Sequence, residues 1–426
     1  MTRNSYFCKN NDIDMRRIQI KNIGPLEDTG VIFVKPVMLI IGKQSMGKST
    51  FMKILCFCEW LEKAIMTGDQ EVVNKYTHNG MFVKNLSKFF RLGDSFFSEK
   101  SEIHYKGDCV SIDLDKKASN VKITKVEDFD KKRFNEKLCF LPAERNLVYA
   151  SKNIRKDFNS DRYDMLFNYI FEYGDEEGAH YFTKNNPLVM PFDRETRYYY
   201  DDAKRMPVVE VGHKAVPIQP MFTSSGIQSS LPMLLMILGA LRKAGTRKSV
   251  SPEEITNTIA RIVMDASSGD TTEIHLKDAA LQLASNFVTY RRSRVFIEEP
   301  EENLFPESQY ELVLAIVKAI KETNERTGED NYVMMTTHSP YILSTVNLLL
   351  RSFVAHNSDS EKEGMLGDDY LLPVNKFGAY CADHGTIKDI LDKESGFIDG
   401  DYLDSISQEI NRKASQVNEV IYGDIR

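Results

Sequence analysis

Gly42, Lys43, Gln44, Ser45, Met46, Gly47, Lys48 and Ser49 form the run G-x-x-x-x-G-K-S. This spacing suits one chemistry. A glycine-rich loop can wrap its backbone N–H groups around a phosphate chain, because glycine takes conformations that other residues avoid. Lys48 would then reach the β- and γ-phosphates, while the Ser49 hydroxyl ligates magnesium and Thr50 closes the contacting set. The ligand this predicts is ATP with Mg2+.

Three further constellations follow along the chain. In VFIEEP, an apolar run from Val295 ends in Glu298 and Glu299. Acids at the C-terminal edge of a buried strand sit where open α/β sheets bind ligands. Glu298 is placed to hold magnesium, and Glu299 to orient or deprotonate an attacking water. Taken alone, the pair also reads as two solvated glutamates at a strand end. Ser224-Ser225-Gly226-Ile227-Gln228 opens a predicted helix. It reads either as an anion site at a helix N-terminus or as an ordinary serine cap. His338, in Thr336-Thr337-His338-Ser339-Pro340, follows another apolar run, and a single histidine of this kind is either a packed residue or a catalytic one.

The elements that must position these groups are legible in outline. Residues from Arg16 alternate as an edge strand does and turn at Gly24-Pro25. VIFV (31–34) follows, and VMLII (37–41) reads as a fully buried strand leading into the glycine loop. The helical run TFMKILCFCEWLEKAIM ends at Gly68. Residues 80–138 alternate short apolar runs with turns and predict a small antiparallel sheet. KLCFLPAERN (137–146) reads as a buried strand and its exit turn. Residues 147–220 are expected to be a helical insert with a long irregular arm, with Tyr198 to Tyr200 either packed together or facing a partner. A helix is predicted from Ser224 to about Lys243. A second, bracketed by Pro306 and Gly328, buries Tyr310, Val313, Ile316, Val317 and Ile320 on one face.

Composition narrows the class. The chain has 426 residues, 42% hydrophobic and 27% charged, which is ordinary globular usage. Its six cysteines (Cys8, Cys56, Cys58, Cys109, Cys139, Cys381) form neither a zinc pattern nor a dense disulfide framework, so reduced thiols in a cytoplasm are expected. No run approaches membrane-spanning length, which excludes a transporter with fused spans. A net charge of −7 confines any nucleic-acid contact to a local patch. Lys131-Lys132-Arg133, Arg242-Lys243 with Arg247-Lys248, and Arg291-Arg292-Ser293-Arg294 are the candidates, each equally readable as a solvated face.

In order and wording, these motifs resemble those of the ABC-type ATPases. The Walker A loop would be 42–49, the signature 224–228, Walker B 293–299, a D-loop-like Glu301-Glu302-Asn303-Leu304, and the H-loop His338. The wording EEPEENL and TTHSP is most similar to the soluble SMC, RecF and OLD-like branch. The resemblance implies an α/β fold: a P-loop ATPase head with a mixed core sheet, a small antiparallel β-subdomain and a helical lobe carrying the signature. It divides the chain into 1–146, 147–290 and 291–426. It implies Lys48, Glu299 and His338 as catalytic groups, and Ser225, Gly226 and Gln228 as ATP contacts from a second copy. Glu144 and Arg145, in the Pro142–Arg145 turn, fall at the Q-loop position without its glutamine. They read equally as sensing groups or as a structural ion pair.

The signature reads SSGIQ, and the first Walker B acid is glutamate; both occur in the soluble branch. The interval from Ser225 to Glu298 implies an insert near 244–290. Neither the SMC coiled coil nor a TOPRIM nuclease domain is expected, and Asp399-Gly400-Asp401 is read as a turn. The resemblance further implies an ATP-gated homodimer. The chain also resembles the stand-alone OLD-like ATPases of bacterial anti-phage systems (PARIS and Septu types), which implies a sensor or regulatory role over a separate effector such as a nuclease. A RecF-like ATPase acting directly on DNA is the alternative.

Overall fold

The computed structural model describes residues 15–77, 81–116, 120–149, 165–246, 250, 252–267, 286–358, 366–399, 402 and 412–416. The leader 1–14, residues 247–249, 251 and 268–285 of the insert near 244–290 (with Arg247-Lys248 among them), and Gly400-Asp401 lie outside the described residues.

The centre is one six-stranded sheet. Strands β4 (Val37–Ile41), β8 (Lys137–Leu141), β13 (Ser293–Glu298), β14 (Tyr332–Thr337) and β15 (Phe377–Asp383) run parallel. β16 (Thr386–Asp389) pairs antiparallel at one edge, giving the order β16-β15-β4-β14-β13-β8. VMLII, VFI and VMM are almost continuously apolar, because strands in the middle of a parallel sheet are covered on both faces. Register sets what happens next. Ile41 pairs with Thr337 and Cys381, Thr336 with Glu298, and Ile297 with Leu141. These strands therefore end level, and the glycine loop, the acidic pair, the TTHS turn and the PAER turn all emerge at one edge.

Helix α1 (Lys48–Met66) leaves the glycine loop and is buried along most of its length. Its C-terminus is closed by Thr67, whose hydroxyl donates to Lys63 O at 3.0 Å, and by left-handed Gly68. Helix α8 (Pro306–Thr327) begins at Pro306 and ends at left-handed Gly328, as the sequence predicts; Val313, Ile316, Val317 and Ile320 are buried and Tyr310 packs beside them. Helix α6 (Ser225–Lys243) carries the apolar run Leu231–Leu241 into the second core cluster.

Two expectations are corrected. The antiparallel sheet has the order β2-β1-β5-β6-β7 with β3 against β1. It recruits β1 (Arg17–Ile23), β2 (Leu26–Asp28) and β3 (Ile32–Phe33) to β5 (Phe97–Lys106), β6 (Val110–Asp115) and β7 (Asn120–Lys125). Its predicted first part is instead helix α3 (Met81–Phe90), which buries Phe82, Leu86, Phe89 and Phe90 at helical spacing. In the second, residues 188–218 are not an irregular arm. They form an antiparallel sheet of β9 (Leu188–Met190), β10 (Asp193–Asp201), β11 (Met206–Val211) and β12 (Val216–Ile218), beside helix α5 (Met165–Gly178). Tyr198 and Tyr199 are buried there, and Tyr200 stacks on His180 with ring centroids 3.6 Å apart. The tyrosine run is thus packing and not a partner surface.

The opposite end of the parallel strands holds a buried ionic cluster. Arg292 and Arg294, at the start of β13, are 7% and 0% exposed. Arg294 meets Glu136 at 2.7 Å, Asp108 at 2.8 Å and Glu59 of α1 at 2.9 Å. Arg292 pairs with Asp108 and, at 3.1 Å, with Glu136; Arg16 pairs with Glu59. The three guanidiniums surround the Tyr332 ring at 5.0–5.3 Å. Burial opposes ionisation of Asp108, yet Arg16 and Arg292 hold its carboxyl below the usual aspartate range. The basic run 291–294 is therefore mostly internal structure. Only Arg291 is exposed, and it pairs with Glu329 at 2.7 Å.

Candidate active site

At the C-terminal edge of the sheet, Lys48 is 5% exposed, and its Nζ donates to Gly42 O at 2.8 Å and Lys43 O at 2.9 Å. The same ammonium lies 3.2 Å from His338 Nδ1. An ammonium has donors only, so Nδ1 accepts and the ring hydrogen sits on Nε2. That nitrogen is 3.2 Å from Glu299 Oε1. The relay Lys48–His338–Glu299 thus joins three groups that the sequence separates widely. Burial lowers the Lys48 pKa, with Glu299 and Glu301 pulling against it.

The backbone is shaped for this. Gly42 has φ 156°, and a Cβ there would lie 2.4 Å from the carbonyl oxygen of Ala382 on β15. Gly47, at φ 94°, caps α1 in a left-handed conformation. We expect Gly42→Ala to cost about 1–3 kcal/mol and to weaken ATP binding, since a backbone carbonyl cannot swing away as a side chain can. Urea unfolding together with titration of a fluorescent ATP analogue measures both. Unchanged values in both would show that the loop does not need a glycine there. Glu299 is also left-handed, at φ 45°; its N–H donates to Thr336 O at 2.9 Å. That geometry turns the chain sharply after β13 and brings the Glu299 carboxylate to His338.

Glu298 is 4% exposed. Its Oε1 accepts no hydrogen bond, and its nearest cation is Lys53 Nζ at 3.4 Å. The hydroxyl of Thr336, its register partner, is likewise buried without a bond. An orphaned carboxylate oxygen in this position fits a hard cation. Among the described residues, no group of three or more His, Cys, Asp or Glu could hold a metal. Magnesium on a triphosphate needs no such cage: one carboxylate and the Ser49 hydroxyl suffice alongside phosphate and water oxygens.

The remaining predicted residues divide. Lys43, Gln44 and Ser45 are exposed on the loop, and Met46, Ser49 and Thr50 line its base. Ser225 is exposed, and among the described residues no hydrogen bond or ion pair joins 224–228 to 42–50. Gly226 packs on the D-loop, where a Cβ would lie 2.9 Å from Asn303 O. Gln228 Nε2 donates to Met221 O and Thr223 O, both at 2.9 Å, so it fastens the loop before α6. Glu144 is exposed, whereas Arg145 is buried behind the acidic pair. Sequence reasoning missed Lys53, which no motif marks. It also missed what Glu301 does: Oε1 accepts from the His338 N–H at 2.6 Å and from the Thr337 hydroxyl at 2.8 Å.

The fold is of α/β class, with a mixed core sheet and an antiparallel subdomain, and its glycine loop between β4 and α1 has the form of a phosphate-binding loop. Residues 17–206 match the family described as AAA domain, and residues 290–343 the family described as AAA ATPase domain. Among solved structures, the chain is similar to the SMC head domain from Thermotoga maritima (9% identity, 88% of this chain and 98% of that one, TM-score 0.34). It is also similar to the SMC head bound to the C-terminal winged-helix domain of ScpA (9%, 88% and 97%, 0.32). A third is the recombination mediator protein RecF-ATPrS of the RecFOR pathway (11%, 88% and 98%, 0.29). No curated protein matches the sequence.

Proposed function

We propose that this chain binds and hydrolyses ATP as an SMC/RecF-like switch that closes as a homodimer and controls a separate protein effector. The observation that carries the reading is the Lys48–His338–Glu299 relay at the sheet edge, with the exposed signature serine unjoined to it. On ATP binding, Lys48 leaves the carbonyls of Gly42 and Lys43 for the β- and γ-phosphates. Ser49 and Glu298 would hold magnesium, which would supply positive charge beside the phosphate oxygens. Water then attacks the γ-phosphorus. Its proton passes to Glu299, and the bond from the γ-phosphorus to the ADP oxygen breaks. Ser225 of a second copy, at the start of α6, adds a hydroxyl to the γ-phosphate and completes the charge-stabilising site. Loss of the γ-phosphate reopens the pair.

The effector role rests on the OLD-like motif wording. Its setting would be a bacterial anti-phage system in the cytoplasm, with this chain as the sensor or regulatory ATPase and a nuclease as one form of effector. Among the described residues, no helix is long and apolar enough to cross a membrane. A second reading, a RecF-like ATPase acting on DNA, is favoured by one feature. A cleft of about 660 Å³ is lined by Lys131, Lys132, Arg133, Arg291 and Arg292. Most of these cations already face acids, Lys131 with Asp128 and Arg133 with Asp130.

The deciding experiment is the steady-state ATPase rate with and without linear double-stranded DNA. A rate indifferent to DNA supports the protein-effector switch, and co-purification then identifies the effector. Strong stimulation supports the DNA reading. In titration with a fluorescent ATP analogue, Lys48→Ala is expected to abolish measurable binding, because it removes the only buried cation of the loop. Wild-type affinity in that variant would overturn the phosphate-loop assignment.

A further inference from the structure

Arg145 reaches three parts of the molecule at once. It follows β8 and is fully buried. Its Nε donates to Ser229 O on α6 at 3.0 Å. Nη1 donates to Glu298 O at 2.8 Å and Pro142 O at 3.3 Å, and Nη2 to Glu299 O at 2.7 Å. Nη2 also lies 3.7 Å from the D-loop carboxylate of Glu302, which accepts from the Ser229 hydroxyl at 3.3 Å. Tyr169 of α5 holds the Arg145 carbonyl at 3.1 Å.

A guanidinium presents five N–H donors in a rigid fork. Here that fork ties the signature helix, the acidic strand end and the D-loop into one unit. The Glu299 peptide is pinned from both sides, its N–H by Thr336 and its carbonyl by Arg145. Arg145 therefore shares in holding the left-handed turn that aims the carboxylate at His338, beside the Glu302 N–H, which donates to the same carbonyl at 3.1 Å.

We infer that Arg145 is a positioning residue that couples the helical lobe to Glu299. When Ser225 engages a γ-phosphate, a displacement of α6 passes through Ser229 O and the guanidinium to the Glu299 peptide. The inference rests on the dimer reading above, which brings a γ-phosphate to Ser225. Arg145 itself touches no nucleotide, so its loss moves turnover and not affinity.

The test is Arg145→Lys, alone and combined with Ser225→Ala, in the full chain. A lysine keeps the charge but cannot span the same carbonyls. We expect kcat to fall about 30-fold, with KM and the affinity for a fluorescent ATP analogue within about 3-fold of wild type. Ser225→Ala is expected to lower kcat about 20-fold in the wild-type chain but under about 2-fold in the Arg145→Lys background, because coupled residues are non-additive. Fully additive losses overturn the coupling, and so does a large loss of nucleotide affinity in Arg145→Lys. If Arg145→Lys does not fold, Glu302→Ala replaces it: Glu302 is 31% exposed and removes one partner of the fork. That variant should lose about 3–5-fold in kcat at unchanged KM, with the same non-additivity toward Ser225→Ala. Additivity there overturns the inference equally. A Ser225→Ala chain with wild-type kcat overturns the dimer reading and the coupling with it, and is told apart because the single variant already shows it.

Discussion

Glu299→Gln is expected to lower kcat by about 10^3-fold, within the range a positioned general base contributes, while ATP affinity stays near wild type. The carboxamide keeps the size of the side chain and an oxygen that can accept from His338 Nε2, which lies 3.2 Å from the present carboxylate. It cannot take a proton from water. Binding and hydrolysis therefore separate in this variant, and under the dimer reading ATP should hold two copies together. Single-turnover hydrolysis and light scattering with ATP measure the two effects. Wild-type turnover in Glu299→Gln would show that the base lies elsewhere. A slow variant that stays monomeric with ATP would keep the base and remove the closed dimer.

The second large effect lies at the other end of the sheet. Arg294→Ala is expected to destabilise the fold by about 3–5 kcal/mol, the usual cost of stripping one partner from a buried ion network. Arg294 is 0% exposed and faces Glu59, Glu136 and Asp108 within 3 Å. Without it, the buried carboxylates of Glu59 and Glu136 lose a cation beside Asp108, which is itself 29% exposed. Arg291→Ala, three residues earlier, should cost under about 1 kcal/mol, because its ion pair with Glu329 is solvent-exposed. The contrast between the two in urea unfolding is the measurement. Equal and small losses would mean that the cluster does not bear on stability. The cluster also joins α1, through Glu59, to β13, through Arg294, so the helix that starts at Lys48 and the strand that ends at Glu298 share one anchor.

Much of the site is legible in local spacing. A glycine loop between a buried strand and a long helix, and two acids closing an apolar run, are local patterns with local physics. The same holds for Pro306 and Gly328, whose backbone preferences delimit α8. The tyrosine-rich stretch was less legible. Its hairpins depend on pairing between β10 and β11, and of the left-handed residues in their turns only Gly212 is a turn signal, whereas Arg205 and Ala215 are not. Helix α3 was hidden because its apolar residues also fit short strands until Phe82, Leu86 and Phe89 are counted at helical spacing.

Sequence by itself determined the candidate chemistry: a glycine loop of phosphate-binding form, a pair of acids and a histidine, each at the end of an apolar strand. Their identities follow from residue type and short-range order. Tertiary structure alone decided which of them meet. Parallel register brings Ile41, Leu141, Glu298 and Thr337 level, and only then do Lys48, His338 and Glu299 touch. The same long-range pairing turned Arg292 and Arg294 inward and made Arg145 a buried link between α6 and β13. Whether a guanidinium faces solvent or a carboxylate 158 residues away is set by packing of the whole sheet, and no local pattern in the chain encodes it.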